Sequence, residues 1–371
     1  MTQTASMGAA LDSRIDACMR AYQGRVPGAG LAVLREGVPV IRRAYGLAEV
    51  EQGVAATPFS NYRLGSVSKQ FTAAAILLLA EDGRLCIDDP IRRWLPTLPG
   101  AADGMSLRHL LTHRSGILDY EELIPEGTSV PVHDAGALAL LEPHDRRYFA
   151  PGTGYRYSNS GYVLLSLIVR QASGMDFAEF LRERIFRPLG MLNSGAFAAG
   201  LSNIPHRAFG YTHTGCSWLR TDQSLTSATL GDGGIYSSID DLARWDAALR
   251  DGRLLRPASL RLAFAAATPT DDPAVHYGFG WCVAGETCWH TGETVGFRNI
   301  ILRFGAHGLT VILLTNRSEP APYSTALSIA GLFLPASAQV PVVAPAAGPD
   351  PGLRPLPNSV PSVPSPTTSA R

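Results

Sequence analysis

Ser66 lies three residues before Lys69 in the segment RLGSVSKQFTAAAI. On the first turn of a helix, this spacing puts the hydroxyl and the amine on one face, with Cβ atoms about 5 to 6 Å apart. A serine hydroxyl becomes nucleophilic when a base takes its proton, and a lysine amine serves as that base when burial lowers its pKa toward neutrality. The pair therefore indicates acyl transfer through a serine ester. The same spacing also arises by chance, with Ser66 capping a helix and Lys69 solvated.

A second candidate group, Tyr157-Ser158-Asn159, lies in the loop-like segment PGTGYRYSNSGY, just before a helical pattern. A phenol close to an ammonium group can be held partly ionised and relay a proton, and an amide can orient the lysine or bind a substrate carbonyl. The alternative interpretation is structural, with Tyr157 as a core aromatic residue and Asn159 as a helix cap.

The third group, His290-Thr291-Gly292, follows a strand-like run and precedes Glu293. A residue as small as Gly292 lets a ligand lie against the strand edge, and a backbone N–H just beyond it could supply half of an oxyanion hole. A histidine near a strand is more often structural. The ordered trio S-x-x-K, Y-x-N and H-T-G, at separations of about 90 and 130 residues, favours the catalytic interpretation.

Helical and strand patterns along the chain suggest how these groups are positioned. The Ala- and Leu-rich run from Ser66 to about Gly83 predicts a buried helix that begins with the candidate nucleophile. Alternating apolar residues and the glycine turn at Glu36-Gly37 predict a β-hairpin over Gly30 to Glu49. Further helices are predicted over Gly161 to Ala172, Phe177 to Phe186 and Ser238 to Arg250, and further strands over Gly278 to Ala284, Arg298 to Phe304 and Leu309 to Leu314.

The predicted strands lie at both ends of the chain, whereas the middle is mostly helical. This distribution predicts an α/β part built from about residues 12–60 and 235–333, with a helical part over about 61–234 inserted between them and a cleft where the two meet. Residues 334–371 are rich in proline and poor in charge, so we expect a disordered or extended tail.

Composition excludes several classes of function. Lys plus Arg equals Asp plus Glu, at 32 each, so the chain lacks the basic field that gathers nucleic acid or anionic lipid. The most apolar helical run, Phe71 to Ala80, is far below the roughly 20 residues of a membrane span. Five scattered cysteines and no visible signal peptide favour the cytoplasm, with the periplasm left open.

Beyond the trio, further segments occur in the same order as in a known family: LLTHRSGI, PGTGYRYSNSGYVLLSLIV, GDGGIYSSIDDLARW and HTGETVGF. With them, residues 12–333 resemble the serine β-lactamase and penicillin-binding-protein superfamily, in particular its class C β-lactamase-like branch of esterases, D-aminopeptidases and DD-peptidases. The resemblance implies an antiparallel sheet flanked by helices with an inserted all-α domain, and a serine hydrolase that needs neither metal nor other cofactor.

The resemblance also implies a role for each candidate residue. Ser66 is the nucleophile, Lys69 its base, Tyr157 the proton relay and Asn159 the orienting amide. The strand residues His290, Thr291 and Gly292 bind substrate, and the N–H groups of Ser66 and Glu293 form the oxyanion hole.

His290 stands where the family has a lysine, so recognition of a substrate carboxylate should weaken, with Arg298 as a compensating cation. Esters, amides and peptides are therefore expected as substrates ahead of β-lactams. A class C-like β-lactamase and a penicillin-binding sensor without turnover remain as alternatives, and the oligomeric state is left open.

Other catalytic sites fit the sequence less well. His109 and His113 have the i, i+4 spacing of zinc ligands, but HLLTH lacks the glutamate of a metalloprotease. No G-x-S-x-G elbow of an α/β-hydrolase occurs. Gly231, Gly233 and Gly234 lack a lysine at P-loop spacing, so a tight turn near the cleft is expected there.

Overall fold

The computed structural model describes residues 2–196 and 204–338, with side chains from residue 8 onward. The helices are α1 (Thr2–Cys18), α2 (Lys69–Glu81), α3 (Leu107–Leu111), α4 (Asp134–Leu141), α5 (Asn159–Ser173), α6 (Phe177–Leu181), α7 (Ile239–Asp251), α8 (Pro257–Ala263) and α9 (Tyr323–Gly331). The strands are β1 (Ala29–Arg35), β2 (Val38–Tyr45), β3 (Leu47–Glu49), β4 (Val54–Ala55), β5 (Tyr62–Arg63), β6 (Gly195–Ala196), β7 (Tyr211–His213), β8 (Trp218–Arg220), β9 (Ile235–Ser237), β10 (Thr268–Pro269), β11 (His276–Tyr277), β12 (Cys282–Ala284), β13 (Thr287–Thr294), β14 (Phe297–Phe304) and β15 (Leu309–Thr315).

An antiparallel eight-stranded sheet in the order β10-β11-β12-β13-β14-β15-β1-β2 forms the centre of the molecule. Strand β1 pairs with β15 over its whole length, so the two ends of the chain close one sheet. The antiparallel sheet flanked by helices that the sequence predicted is therefore confirmed.

The two faces of the sheet bury different sets of side chains, as the two-residue period of a strand requires. One face packs against α1 and α9 through residues such as Leu31, Val311 and Leu313. The other face packs against α7 and the helical part through Ala32, Ile301, Ile312 and Leu314. Helices therefore cover both faces of the sheet that contains β13.

Helix α2 connects the sheet to the helical part. Its residues from Lys69 to Leu79 are all buried, and it contacts α5, α6 and α8. A one-turn 3-10 helix, Gly65–Ser68, precedes it and packs directly on β13. The buried helix predicted from the Ala- and Leu-rich run is present, with Ser66 on the 3-10 turn at its start.

The local structure agrees with the sequence expectation at one place and differs from it at another. The β1–β2 hairpin turns at Glu36 and Gly37 as predicted, both with positive φ. The strand predicted over Gly278 to Ala284 is instead broken, because Gly280 has φ +78° and passes so close to α2 that a Cβ there would lie 2.8 Å from the Lys69 carbonyl oxygen.

The middle region is also less purely helical than expected. Strands β5 and β6 pair with β9 in a small sheet, and β7 pairs with β8. Strands of two or three residues give too little periodicity to be found in a sequence. The proline-rich tail lies outside the described residues from 339 onward, so its disorder stays a prediction. Within the described ranges, no helix is both long and apolar enough for a membrane span.

Candidate active site

The central contact of the site joins Ser66 and Lys69. The Lys69 Nζ lies 3.0 Å from the Ser66 Oγ, and the lysine side chain is fully buried whereas Ser66 is partly exposed. The apolar helix α2 provides this burial, because its neighbours surround it on several sides. The two residues predicted from S-x-x-K spacing therefore meet at a point that a ligand can reach from the Ser66 side.

Two further oxygens fix the direction of the Lys69 amine. Nζ donates to the Asn159 Oδ1 at 2.7 Å and to the carbonyl oxygen of Asp232 at 3.0 Å. A neutral amine has two N–H groups and one lone pair, so these two acceptors leave its lone pair for the Ser66 hydroxyl. The ammonium form fits the same three oxygens by donating to Ser66 instead. The arrangement thus accommodates the amine before and after it takes a proton.

Asn159 is itself oriented by an acid that the sequence did not single out. Its Nδ2 donates to the Glu121 Oε1 at 2.9 Å, which fixes the amide oxygen toward Lys69. The backbone of this segment is set by Ser158, whose hydroxyl accepts from the Gly161 N–H and caps α5. Asn159 is therefore the first residue of the helix, and the cap that the alternative interpretation gave to Asn159 is made by Ser158.

Tyr157 places its ring 4.9 Å from the Lys69 Nζ, a distance at which a cation is attracted to the ring face. Burial raises the pKa of the Tyr157 phenol well above its usual range, and the Ser66 hydroxyl offsets only part of that rise. The phenol oxygen is buried and lacks a well-formed hydrogen bond. Burial thus favours a neutral Tyr157 phenol, which can donate a proton, over the partly ionised phenol that the sequence suggested.

The His290 ring lies beside the reacting groups, with its centroid 6.2 Å from that of Tyr157. The His290 ring is fully buried, with Nε2 2.8 Å from the Tyr277 hydroxyl and Nδ1 2.6 Å from the Thr291 carbonyl oxygen. Burial, helped by the charge of Lys69, lowers the pKa of His290 to about 3. The imidazole is neutral at pH 7, so Nδ1 carries the proton and Nε2 accepts from Tyr277. A carboxylate-binding cation is therefore missing at this position, as the sequence argument expected.

The strand edge meets the Ser66 turn through glycines. A Cβ at Gly292 would lie 1.9 Å from the Leu64 carbonyl oxygen, and a Cβ at Gly65 would lie 3.0 Å from the Glu293 N. Strand β12 pairs with residues 287 to 289, so beyond Trp289 this edge of β13 has no strand partner among the described residues. The backbone N of Glu293 and the turn carrying Ser66 are thus in direct contact, where an oxyanion hole would require them.

Comparison with known proteins identifies the family. The Beta-lactamase family model matches residues 11–333. The chain belongs to this family. Penicillin-binding protein 4* of Bacillus subtilis is 33% identical over 318 residues, which cover 80% of this chain and 70% of that protein. A D-aminopeptidase of Gluconobacter oxydans is 29% identical over 87% of this chain and 62% of its own length, and one of Brucella anthropi is 31% identical over 73% of this chain and 51% of its own length. The chain thus spans about half to two thirds of the length of these aminopeptidases.

Solved structures agree with this assignment. The octameric penicillin-binding protein homologue of Pyrococcus abyssi superposes with a TM-score of 0.76 at 27% identity, over 87% of this chain and 77% of that one. A D-amino acid amidase of Ochrobactrum anthropi, solved with L-phenylalanine amide, gives 0.72 at 28% identity over 87% and 96%. The β-lactamase/transpeptidase-like fold is therefore shown.

Arg298 does not supply the missing cation in this β-lactamase-family chain. Its guanidinium donates to the carbonyl oxygens of Thr294 and Phe297, both at 2.8 Å, and its Nε lies 3.6 Å from the Glu293 Oε2. The other carboxylate oxygen of Glu293 accepts from the Tyr323 hydroxyl. Arg298 is thus paired with an acid and with its own hairpin, and the suggestion that it compensates for His290 is wrong.

Sequence reasoning missed the residues that surround the reacting groups. His113 packs on Tyr157 with ring centroids 4.3 Å apart, and its Nδ1 accepts from the Ser158 N–H at 3.1 Å. His109, four residues earlier, instead accepts from the Ser106 N–H and caps α3. The two rings therefore have separate tasks. His113 contacts Tyr157 and Ser158, which lie far from it in the chain, so the sequence around His113 does not reveal these contacts. The only available signal was that HLLTH belongs to a segment resembling the family.

Proposed function

We propose that this chain hydrolyses esters, amides or peptides through an acyl-enzyme on Ser66. The observation that carries the proposal is the 3.0 Å contact between Ser66 and a buried Lys69 amine whose other two directions are taken by the Asn159 Oδ1 and the Asp232 carbonyl oxygen. A buried amine held in this way has its lone pair aimed at the hydroxyl it must deprotonate.

The reaction proceeds in two stages. Lys69 takes the Ser66 proton as Oγ bonds to the substrate carbonyl carbon, and the backbone N–H groups of Ser66 and Glu293 stabilise the oxyanion. The neutral Tyr157 phenol gives its proton to the leaving group as the bond to it breaks, and the Lys69 ammonium reprotonates the phenolate. Water then takes the place of the leaving group, and the same proton transfers run in reverse to release the acid and restore Ser66.

The charges around the site favour substrates without a carboxylate beside the scissile bond. His290 is neutral, and Arg298 is paired with Glu293. A β-lactam or a peptide C-terminus would place its carboxylate against a strand that offers no unpaired cation among the described residues. We therefore rank short esters and D-amino-acid amides ahead of D-Ala-D-Ala peptides, and these ahead of β-lactams. The five cysteines are free, which supports a reducing compartment and keeps the cytoplasm as the expected location, with the periplasm as alternative.

A substrate panel tests the proposal. Purified protein is assayed with short p-nitrophenyl esters, D-alanine p-nitroanilide, D-Ala-D-Ala peptides and nitrocefin, in parallel with Ser66→Ala and with Ser68→Ala as a matched control on the same turn. Ser68 donates no proton to Lys69, and its Oγ accepts from the Ile235 N–H. The proposal predicts that Ser66→Ala lowers turnover at least about a thousand-fold and Ser68→Ala leaves most of it. Nitrocefin turnover exceeding ester and amide turnover would reverse the substrate ranking.

A further inference from the structure

Asp232 is a buried acid next to the reacting groups that the proposed reaction uses only through its backbone. Its side chain is 5% exposed, and its carbonyl oxygen accepts from the Lys69 Nζ at 3.0 Å. The carboxylate Oδ2 accepts a long hydrogen bond, 3.4 Å, from the Tyr120 hydroxyl, and Oδ1 has no hydrogen-bond partner among the described residues.

The loop that carries Asp232 is fixed on both sides. The Asp134 Oδ1 accepts from the Leu230 N–H at 3.0 Å, and Thr72 donates to the Gly231 carbonyl oxygen at 2.6 Å. A Cβ at Gly231 would lie 2.2 Å from the Tyr162 carbonyl oxygen, so the loop packs closely on α5. These contacts hold the acid beside the lysine amine.

A closed circuit of contacts also links Asp232 to the second acid near Lys69. Lys69 donates to Asn159, whose amide donates to Glu121, and the neighbouring Tyr120 donates to the Asp232 carboxylate. Tyr120 and Glu121 lie on one 3-10 turn, Tyr120–Leu123. Asp232 therefore affects the charge of the amine and the placement of the turn that orients Asn159.

Four ionisable groups on different elements face the Asp232 carboxyl. Lys69 on α2 and Arg63 on β5 favour its charged form, and Tyr120 donates a hydrogen bond to it. Asp134 on α4 is a like charge, so it opposes the charged form of Asp232, and the charge of Asp232 in turn raises the pKa of Asp134. Burial raises the pKa of Asp232 above its usual value, and the charges of Lys69 and Arg63 offset only part of that rise. The attraction is mutual, so an ionised Asp232 stabilises the ammonium form of Lys69 by the same amount.

We propose that Asp232 is a positioning residue whose buried negative charge stabilises the ammonium form of Lys69 and thereby sets the pH above which Ser66 is activated. The inference rests on the proposed function, since it assumes that the neutral Lys69 amine is the base. Removing the charge lets the amine lose its proton at lower pH. A nearby opposite charge shifts a titration by about one to three pH units, so the acid limb of the activity profile should move down by that amount.

The test measures the rate of Ser66 modification by a fluorophosphonate between pH 4 and 9, together with kcat/KM on one ester. The proteins are the wild type, Asp232→Asn, Asp232→Ala, Asp232→Glu, Asp241→Asn and Ser66→Ala, with folding checked by thermal unfolding. Asp241 is the matched control, a fully buried acid whose partners are Asn193, Ser194 and Arg244.

The acid limb should move to lower pH by about one to three units in both Asp232→Asn and Asp232→Ala, and remain near the wild-type position in Asp232→Glu and Asp241→Asn. If the amide variant does not fold, the alanine variant decides the matter, since it leaves no unpaired polar atom. An unmoved limb in folded Asp232 variants overturns the role of Asp232. Labelling that persists in Ser66→Ala instead overturns the proposed function, so the two failures are distinguishable.

Discussion

At the scale of single residues, the site depends on how the Lys69 amine is oriented as well as on its charge. Two acceptors fixed by their own partners, Asn159 and the backbone of Asp232, orient the Lys69 amine, and its Nζ also lies 3.0 Å from the Ser66 Oγ. The rings of Tyr157 and Tyr162 lie 4.9 and 5.5 Å from Nζ, so the cation that forms during the reaction lies over aromatic faces and away from water.

Tyr157→Phe separates catalysis from stability. The phenol oxygen is buried without a well-formed hydrogen bond, so its removal should leave the free energy of unfolding unchanged or slightly higher. Loss of a general acid should lower kcat/KM by about a hundred- to ten-thousand-fold. Urea unfolding and ester kinetics measure both quantities. Retention of full activity would remove Tyr157 from the proposed proton path.

His290 should make the fold sensitive to acid. The pKa of His290 is about 3 in the fold against about 6.5 in an unfolded chain, so below pH 6.5 the unfolded chain binds a proton that the folded one does not. The free energy of unfolding is undiminished above pH 6.5 and falls by up to about 1.4 kcal/mol per pH unit as the pH drops toward 3. Burial also lowers the pKa of His113 well below its ordinary value, so this residue adds a second contribution.

His290→Gln should reduce that acid slope, while lowering stability at pH 7 by about 1 to 3 kcal/mol through lost hydrogen bonds. Denaturant unfolding at pH 7 and at pH 4.5 provides the comparison. A slope identical to that of the wild type would mean that His290 titrates normally and is not buried in the neutral form.

The sequence predicted the reacting pair but not the groups around it. Ser66 and Lys69 share one turn, so their meeting follows from helical geometry alone. Glu121, Asp232 and His113 reach the site from three separate segments, and their contacts depend on how those segments pack. The sequence also could not show that Tyr157 is neutral, because burial of its hydroxyl is a property of the assembled core.

At the scale of elements, the site requires β13 and the Gly65–Ser68 turn to touch through their backbones. Gly292 allows this approach because it has no Cβ to meet the Leu64 carbonyl oxygen. The N-terminal turn of α2 and the unpaired edge of β13 thus supply the two backbone N–H groups of the proposed oxyanion hole.

Gly292→Ala should force the strand and the turn apart. A Cβ 1.9 Å from a carbonyl oxygen cannot be accommodated without backbone movement, and overpacking of this kind costs about 1 to 3 kcal/mol. Turnover should fall at least about a hundred-fold, because an oxyanion donor displaced by 1 Å loses most of its effect.

Gly331→Ala is the matched control for this substitution, since a Cβ there meets nothing within 4 Å. It should leave both turnover and the melting temperature near the wild-type values, as measured by ester assay and thermal unfolding. Equal effects of the two substitutions would argue against a close approach at Gly292.

Element prediction succeeded where a pattern was long. The β1–β2 hairpin and helices α2, α5 and α7 have sustained periodicity, and the structure confirms them. The break at Gly280 follows from packing against α2, and the short strands around β9 are too brief to show a period, so neither was visible in the sequence.

At the scale of the whole molecule, segments from both ends of the chain belong to the sheet that contains β13. Strand β1 pairs with β15, which pairs with β14 beside β13, while α1 and α9 cover the outer face of the sheet. The distribution of strand patterns at both chain ends anticipated this closure, whereas the exact strand order came from the structure.

Two truncations test this arrangement. Deleting everything from Pro322 onward removes four residues that are buried against the sheet: Tyr323, Ala326, Ile329 and Ala330. The loss of this burial should destabilise the fold by several kcal/mol, at about 1.5 to 3 kcal/mol for each large apolar side chain. Deleting residues 339–371 should leave turnover and melting temperature unchanged, as expected for the predicted proline-rich tail. A large loss of stability from the shorter deletion would contradict the boundary at about residue 333.

The most direct measurement is to locate the acyl group itself. Protein quenched in acid during steady turnover of a slow ester or D-amino-acid amide is analysed by intact mass and then by peptide mapping. The account predicts a mass increase equal to the acyl group, mapped to Ser66 and absent from Ser66→Ala. An adduct on another residue, or turnover that persists in Ser66→Ala, would contradict it.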